Sequence, residues 1–322
     1  MAKYKDIGGS AVQFRSGAEE YAYPSPEGEL FYNSSNGQFQ FVGLGAGTWA
    51  TGANTNTNRY AMGGFGTQTA ALGFGGNPSP GVTADTETYN GTAWTEVNNL
   101  NTARYNIDGS KAGVQTAGIT AGGQKTPLTD EVEQWDGTNW TEVGDLNTTR
   151  SDTIVAGTST AGLVFSGSTP SYTADTEVWD NSSWTEVANL NTARAAAAGS
   201  GTSTAALCFS GVTPPYTAKN ESWDGTSWTE ITDMNTARLQ GGGFGTQTDA
   251  IMMGGEITAN SALTETWDGT SWAEVGDMNT ARQSFGSNGS SSAGLITNGF
   301  SPLIQAVEEW TVSHPIKTVT TS

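Results

Sequence analysis

The sequence is poor in the residues that most often carry chemistry. It has one histidine, His314, in 322 residues. A zinc or redox-copper centre built on imidazole needs several. Ser-His-Asp and Cys-His catalysis need one beside a nucleophile. His314 follows the last repeated segment, so these classes are excluded and no metal or cofactor is expected. The one cysteine, Cys208, sits in the apolar run AALCF. It permits no intrachain disulfide and reads as a small buried hydrophobe. Positive charge is also scarce: 13 Lys and Arg face 32 Asp and Glu, a net charge of −19. A nucleic-acid binder calls for a basic patch, and none is visible. An anionic membrane surface is disfavoured for the same reason, while the charge suits solubility. No run is long and apolar enough for a membrane span, and the opening MAKYKDIGGSAVQF lacks the apolar core of a secretion signal. With 43 glycines and no sustained 3.6-residue apolar period, long helices are not expected.

What is present is repetition. The phrase WDGTSWTEITDMNTAR at 223–238 recurs in near-copies at 89–104, 135–150, 179–194 and 267–282. A half-copy lies at 49–59, and Trp310 closes the series. The second aromatic position holds Trp49, Trp94, Trp140, Trp184, Trp228 and Trp272, spaced 44 to 46 residues apart. Ten residues after each stands an arginine: Arg59, Arg104, Arg150, Arg194, Arg238 and Arg282. The first aromatic position holds Tyr89, Trp135, Trp179, Trp223, Trp267 and Trp310. Two residues before it stands a glutamate: Glu87, Glu133, Glu177, Glu221, Glu265 and Glu308. Six complete units result.

Each unit offers four short strands. A Gly/Ala-rich segment follows the arginine, then an apolar segment such as TAALCFSG, a variable loop, a strand such as DTEVW, a tight turn and the tryptophan strand. Four antiparallel strands per 40–50 residues predict a propeller blade. Small residues after the arginine let the innermost strands crowd the axis. The two aromatics flanking the Asp-Gly turn should stack across a hairpin, with the turn glycine at positive φ.

An apolar strand ending in Gly-Gly, then an aromatic, a tryptophan and an arginine, resembles the kelch repeat. The doublet is intact at Gly75-Gly76, Gly122-Gly123 and Gly254-Gly255, and altered to Ser166-Gly167, Ser210-Gly211 and Asn298-Gly299. The resemblance covers about residues 47–312 and implies an all-β, six-bladed kelch-like propeller. The phase of the repeats predicts how the ring closes. The Trp49 strand lacks a partner before it and the Trp310 strand lacks one after it, so the two should pair and remove the open edges.

The arginine slot could bind carboxylates or phosphates. Six of seven arginines share one repeat slot, however, and the glutamates follow the same period. Structural Arg–Glu pairs, one per unit, are the expectation. The phrase also lies near the Asp-box of sialidase propellers, but no symmetry-breaking set of arginines with a tyrosine nucleophile is present. Carboxylate-only glycoside chemistry stays open, although no acid stands out by context.

Between units the variable part is the loop after the second strand, where Tyr172, Tyr216, Lys219 and Phe300 are ligand-binding candidates. Ordinary solvated loops with turn prolines are the alternative. Ahead of the repeats, GELFYNSSNGQFQFVG at 28–43 predicts a hairpin. The expected organisation is an N-terminal arm at 1–46, a propeller at 47–313 and a C-terminal tail at 314–322.

The arm, followed by near-identical units rich in NTAR and GTQTAAL, is similar to tail-fibre and other virion structural proteins of marine bacteriophages. That resemblance implies a non-enzymatic protein made in the host cytoplasm and carried in the virion. It would serve as tail fibre, adhesin or capsid decoration. Residues 1–46 would dock on other virion proteins, with homo-oligomers in the particle, and the propeller would meet a host glycan or protein. No nucleic acid and no membrane insertion are expected. A stand-alone kelch interaction module and a carbohydrate-active enzyme remain the alternatives.

Overall fold

In a computed structural model of the chain, residues 13–15, 30–33, 38–42, 45–125, 127–313 and 316–318 are described. They divide into two units. One comprises Met1–Gly47 with Val312–Ser322, the other Thr48–Thr311.

The larger unit is a six-bladed β-propeller, with no helix among the described residues. In the first blade the strands run from the axis outward as Gly63–Thr67, Ala70–Phe74, Thr86–Tyr89 and Trp94–Val97. All neighbours are antiparallel, and the register places Tyr89 opposite Trp94. The sixth blade joins Gly286–Ser290, Ala293–Thr297 and Val307–Val312 to Gly47–Thr51 from the start of the chain. Three strands from the end and one from the beginning thus close the ring, as the phase of the repeats predicted.

The innermost strands are buried along most of their length, and their glycines are there for space. A Cβ on Gly243 would lie 2.8 Å from the Gly199 carbonyl oxygen, and one on Gly109 would lie 2.5 Å from that of Gly64. Backbones of neighbouring blades touch at these points.

The Gly-Gly doublet has two positions with different conformations. The first lies near φ 60° in all six units, at 61° for Gly75, 62° for Ser166 and 61° for Asn298. Serine and asparagine can enter this left-handed region at modest cost. The second has φ between 95° and 122°, and it is glycine in every unit. The sequence departs from the doublet only where an L-residue can follow.

The second blade differs. Its three regular strands are Gly118–Ala121, Val132–Trp135 and Trp140–Glu142. The innermost place is held by the irregular segment 106–113. Ser110 N donates to Ile119 O at 3.1 Å within the blade, while Lys111 N and Ala112 N donate to Val155 O and Gly157 O of the third blade, both at 2.9 Å.

In the smaller unit, Leu30–Asn33 and Gln38–Val42 pair antiparallel with Asn33 opposite Gln38. This is the expected hairpin; its turn at 34–37 lies outside the described residues. Gln13–Arg15 adds parallel to Leu30–Asn33. Residues 314–322 were set apart as a tail, yet Ile316–Thr318 is a strand that pairs antiparallel with Gln38–Val42. A three-residue strand is too short to show periodicity. His314 lies outside the described residues.

Candidate binding face at the propeller axis

The repeated polar residues are consumed in construction. All six arginines pair with the glutamate of their own unit, both partners buried: Arg59–Glu87 at 3.0 Å, Arg104–Glu133 at 2.9 Å, Arg150–Glu177 at 2.5 Å, Arg194–Glu221 at 2.8 Å, Arg238–Glu265 at 3.2 Å, and Arg282–Glu308. Burial pulls the Arg59 guanidinium below its ordinary pKa, and Glu87 works against that. A third member completes the clamp. In the fourth unit Asn191 donates its backbone N–H and its Nδ2 to Glu221 Oε2, and Nδ2 also reaches Trp228 O. The asparagine of NTAR thereby ties the outer strand to the Arg–Glu pair.

The aromatics fill two kinds of space. Within each blade the paired rings pack across the hairpin, stacked for Tyr89–Trp94 with centroids 4.9 Å apart and tilted for Trp267–Trp272 at 5.5 Å. Between blades the tryptophan packs on the preceding blade. Trp140 meets Phe74, Trp228 meets Phe165 and Trp272 meets Phe209. Trp49 of the sixth blade donates to Thr264 Oγ1 of the fifth at 3.2 Å. Trp94 and Trp184 are buried in their hydrophobic clusters. Cys208 is buried in the core of the fourth blade, and burial pushes its thiol up to about 11.

The turn aspartates are local caps. Asp224 Oδ1 accepts from Thr226 N, Thr226 Oγ1 and Ser227 N at 2.7–2.8 Å. These bonds, led by the Thr226 hydroxyl, hold its carboxyl down to about 2.

The four loop candidates do not converge. Tyr216 Oη donates to Glu256 Oε1 of the next blade at 2.7 Å. Lys219 pairs with Glu230 of the outer strand at 3.1 Å. Tyr172 is exposed, and Phe300, also exposed, meets Tyr60 edge-on at 5.6 Å. Of the four, only Phe300 has a ring partner from the segments that begin the inner strands.

Those segments form a feature that no repeated motif marks in the sequence. Two residues after each arginine stand Ala61, Asn106, Asp152, Ala196, Gln240 and Ser284, all with φ between 51° and 55°. Asn106 N donates to Ala61 O, Asp152 N to Asn106 O, Gln240 N to Ala196 O, Ser284 N to Gln240 O and Ala61 N to Ser284 O, at 2.6–3.0 Å. These five bonds lace the six blades into one chain around the axis, open between Asp152 and Ala196. The preceding residue of each unit bridges to the start of the variable loop, as Tyr60 does with Asn77 and Leu239 with Glu256. This chain of bonds and the variable loops therefore lie at the same end of the propeller.

Below these bonds is an axial cavity of about 80 Å³. Its lining breaks the sixfold pattern. Lys111 Nζ donates to Asp108 Oδ1 at 2.8 Å and reaches Ser287 Oγ of the sixth blade at 3.5 Å. Asp152 Oδ2 accepts from Ser151 Oγ at 2.9 Å and Asn106 Nδ2 at 3.3 Å. Burial pushes both carboxyls up, opposed at Asp108 by Lys111 and at Asp152 by two neutral donors. No group of three or more potential metal ligands occurs among the described residues. The signal in the sequence was faint: Asp108 stands where the other units have Gly, Ala or Ile, and Asp152 stands in a slot that varies among Ala, Asn, Gln and Ser.

Fold and lining together define a six-bladed β-propeller with a polar, asymmetric mouth on the axis. No protein-family model matches the sequence, and no curated protein matches it. Among solved structures, that of YjhT is similar, with a TM-score of 0.66 and 11% identity. The match covers 83% of this chain and 99% of that one, and it shows the fold alone.

Proposed function

We propose that the chain is a non-enzymatic structural protein of a bacteriophage particle, a tail fibre, adhesin or surface decoration of kelch-like design. It presents its propeller for binding to a host surface or a neighbouring protein. The observation that carries this reading is where the chain ends go. Segments from before and after the propeller, Gln13–Arg15, Leu30–Asn33, Gln38–Val42 and Ile316–Thr318, build one small sheet of their own. A propeller whose two ends run into one separate sheet has the connectivity of a displayed head on a single mount. Docking on other virion proteins through this unit follows naturally. The arginines and glutamates that could have supplied repeated chemistry are locked in six internal pairs, which supports a scaffold.

Mass spectrometry and imaging of purified particles test this directly. The chain should be present and labelled at a tail or surface position. Particles that lack it would overturn the reading. A soluble monomer captured by a cellular protein would favour the kelch interaction module instead.

A further inference from the structure

We infer that the axial mouth binds the terminal residue of a neutral saccharide, with Asn106, Asp152, Gln240 and Ser284 on its hydroxyls and Tyr60 and Tyr105 beside its ring. The inference rests on the display reading for the source of the sugar, but the site stands on its own geometry.

The argument begins with what is left unused. Among the described residues, Asp152 accepts two hydrogen bonds on Oδ2 and none on Oδ1. Among the described residues the Gln240 amide and Ser284 hydroxyl have no partner, although their backbones join the chain around the axis. These groups come from blades two, three, five and six and are held by one chain of backbone hydrogen bonds around the axis, so their positions are fixed together. Polar groups so placed and half-buried are the usual means of fixing a ligand's orientation.

Their chemistry selects the ligand. An anion would meet Asp152 and a chain charge of −19. The cation at the site, Lys111, is already held by Asp108. An ammonium wants acceptors only, whereas Gln240 and Ser284 bring donors as well; Asn106, whose Nδ2 serves Gln124 and Asp152, brings its Oδ1 as an acceptor. A sugar hydroxyl donates and accepts at once, which suits a carboxylate beside two amides and a hydroxyl. The aromatic side agrees. Tyr60 and Tyr105 begin the inner segments of consecutive blades, and Phe300 packs edge-on against Tyr60. Burial raises the Tyr105 pKa, with smaller contributions from Tyr60 and Asp152. A rigid ring with an apolar face and a polar tip suits the C–H face of a pyranose. The sugar would turn its hydroxyls toward the polar lining of the axial cavity.

Saturation-transfer NMR on the full chain, with methyl glycosides of neutral hexoses at millimolar concentration, tests the site. An immobilised array of neutral and charged glycans extends it to longer chains. Transfer should reach the ring protons of at least one neutral glycoside. Asp152→Asn and Gln240→Ala should each weaken binding about tenfold or more, the effect of losing one strong hydrogen bond. Gln240→Ala should keep the wild-type melting transition, and Asp152→Asn should melt no lower than wild type at neutral pH, since neither side chain supports the core. Binding that survives both changes overturns the inference. So does binding of ethanolamine in place of sugar, or no neutral glycan bound at all. The display reading fails separately, on particles that lack the chain.

Discussion

Val132 stands in the strand position from which Thr86 and Thr176 accept the indole hydrogen of the next blade's tryptophan, and Trp184, buried in the same cluster, has no acceptor. Thr86 serves Trp140 and Thr176 serves Trp228, each at 3.1 Å. Valine packs the same space but offers no oxygen. The blade interface keeps its dispersion contacts and leaves one buried N–H unpaired. Val132→Thr should therefore stabilise the protein by about 1 kcal/mol, the net value of a buried hydrogen bond. Chemical unfolding of the two proteins measures it. A loss of stability would show that the hydroxyl cannot turn toward Trp184.

The Arg–Glu clamp makes an ordered prediction among variants. Arg194→Met strands the Glu221 carboxylate in a buried site, which costs about 3–5 kcal/mol. Adding Glu221→Gln removes the charge yet keeps a carbonyl oxygen for the two Asn191 donors. Adding Glu221→Leu removes the charge, leaves the Asn191 backbone N–H unpaired and leaves Nδ2 with Trp228 O alone. In urea unfolding, stability should rank Arg194→Met below its double variant with Leu, and that below the double variant with Gln. Equal stability of the two double variants would mean that Asn191 gains nothing from the clamp.

Period explains which of these features could be read before the fold. Trp94, Glu87 and Arg59 each recur in every unit, so a count alone separates construction from chemistry. The seam followed from Trp49 and Trp310, which are incomplete in complementary ways. Asn191 and its equivalents were visible in the same phrase, but nothing in one dimension shows that they and the arginine seize opposite oxygens of one carboxylate. Asp108, Lys111 and Asp152 were harder still. They sit in segments that differ between blades, and only the lacing of Ala61 to Ser284 around the axis brings them to one place. The Ile316–Thr318 strand draws on a partner almost the full chain length away.

The two glycine positions of the doublet separate cleanly by substitution. Ser210 holds φ at 64°, and its hydroxyl is buried without a partner. Ser210→Gly relieves the left-handed strain and the unpaired hydroxyl, each about 1 kcal/mol. Glycine entropy takes back about 0.5–1 kcal/mol. A net gain near ~1 kcal/mol is expected. Next to it Gly211 has φ 105°, and a Cβ there would lie 2.9 Å from the Ala195 carbonyl oxygen. Gly211→Ala should lose about 2 kcal/mol or more. Thermal unfolding that moved both variants in the same direction would refute the distinction.

Asp152 gives the pH prediction. Its carboxyl is raised by burial, and the groups around it are the neutral donors Ser151 and Asn106. Tyr105 and the Lys111–Asp108 pair belong to the same mouth. A carboxyl with a raised folded pKa binds its proton more tightly when folded. The protein then loses stability as pH climbs from the ordinary carboxyl range, about 4, through the raised value. Asp152→Asn has no proton to lose, so its stability should not fall over that window on this account. The gap between variant and wild type should open as pH rises and close again in acid, where the wild-type carboxyl is protonated in both states. Unfolding curves collected from acid to neutral pH measure that gap. A gap that widened toward acid instead would mean that Asp152 is stabilised as the anion, and that a cation holds it.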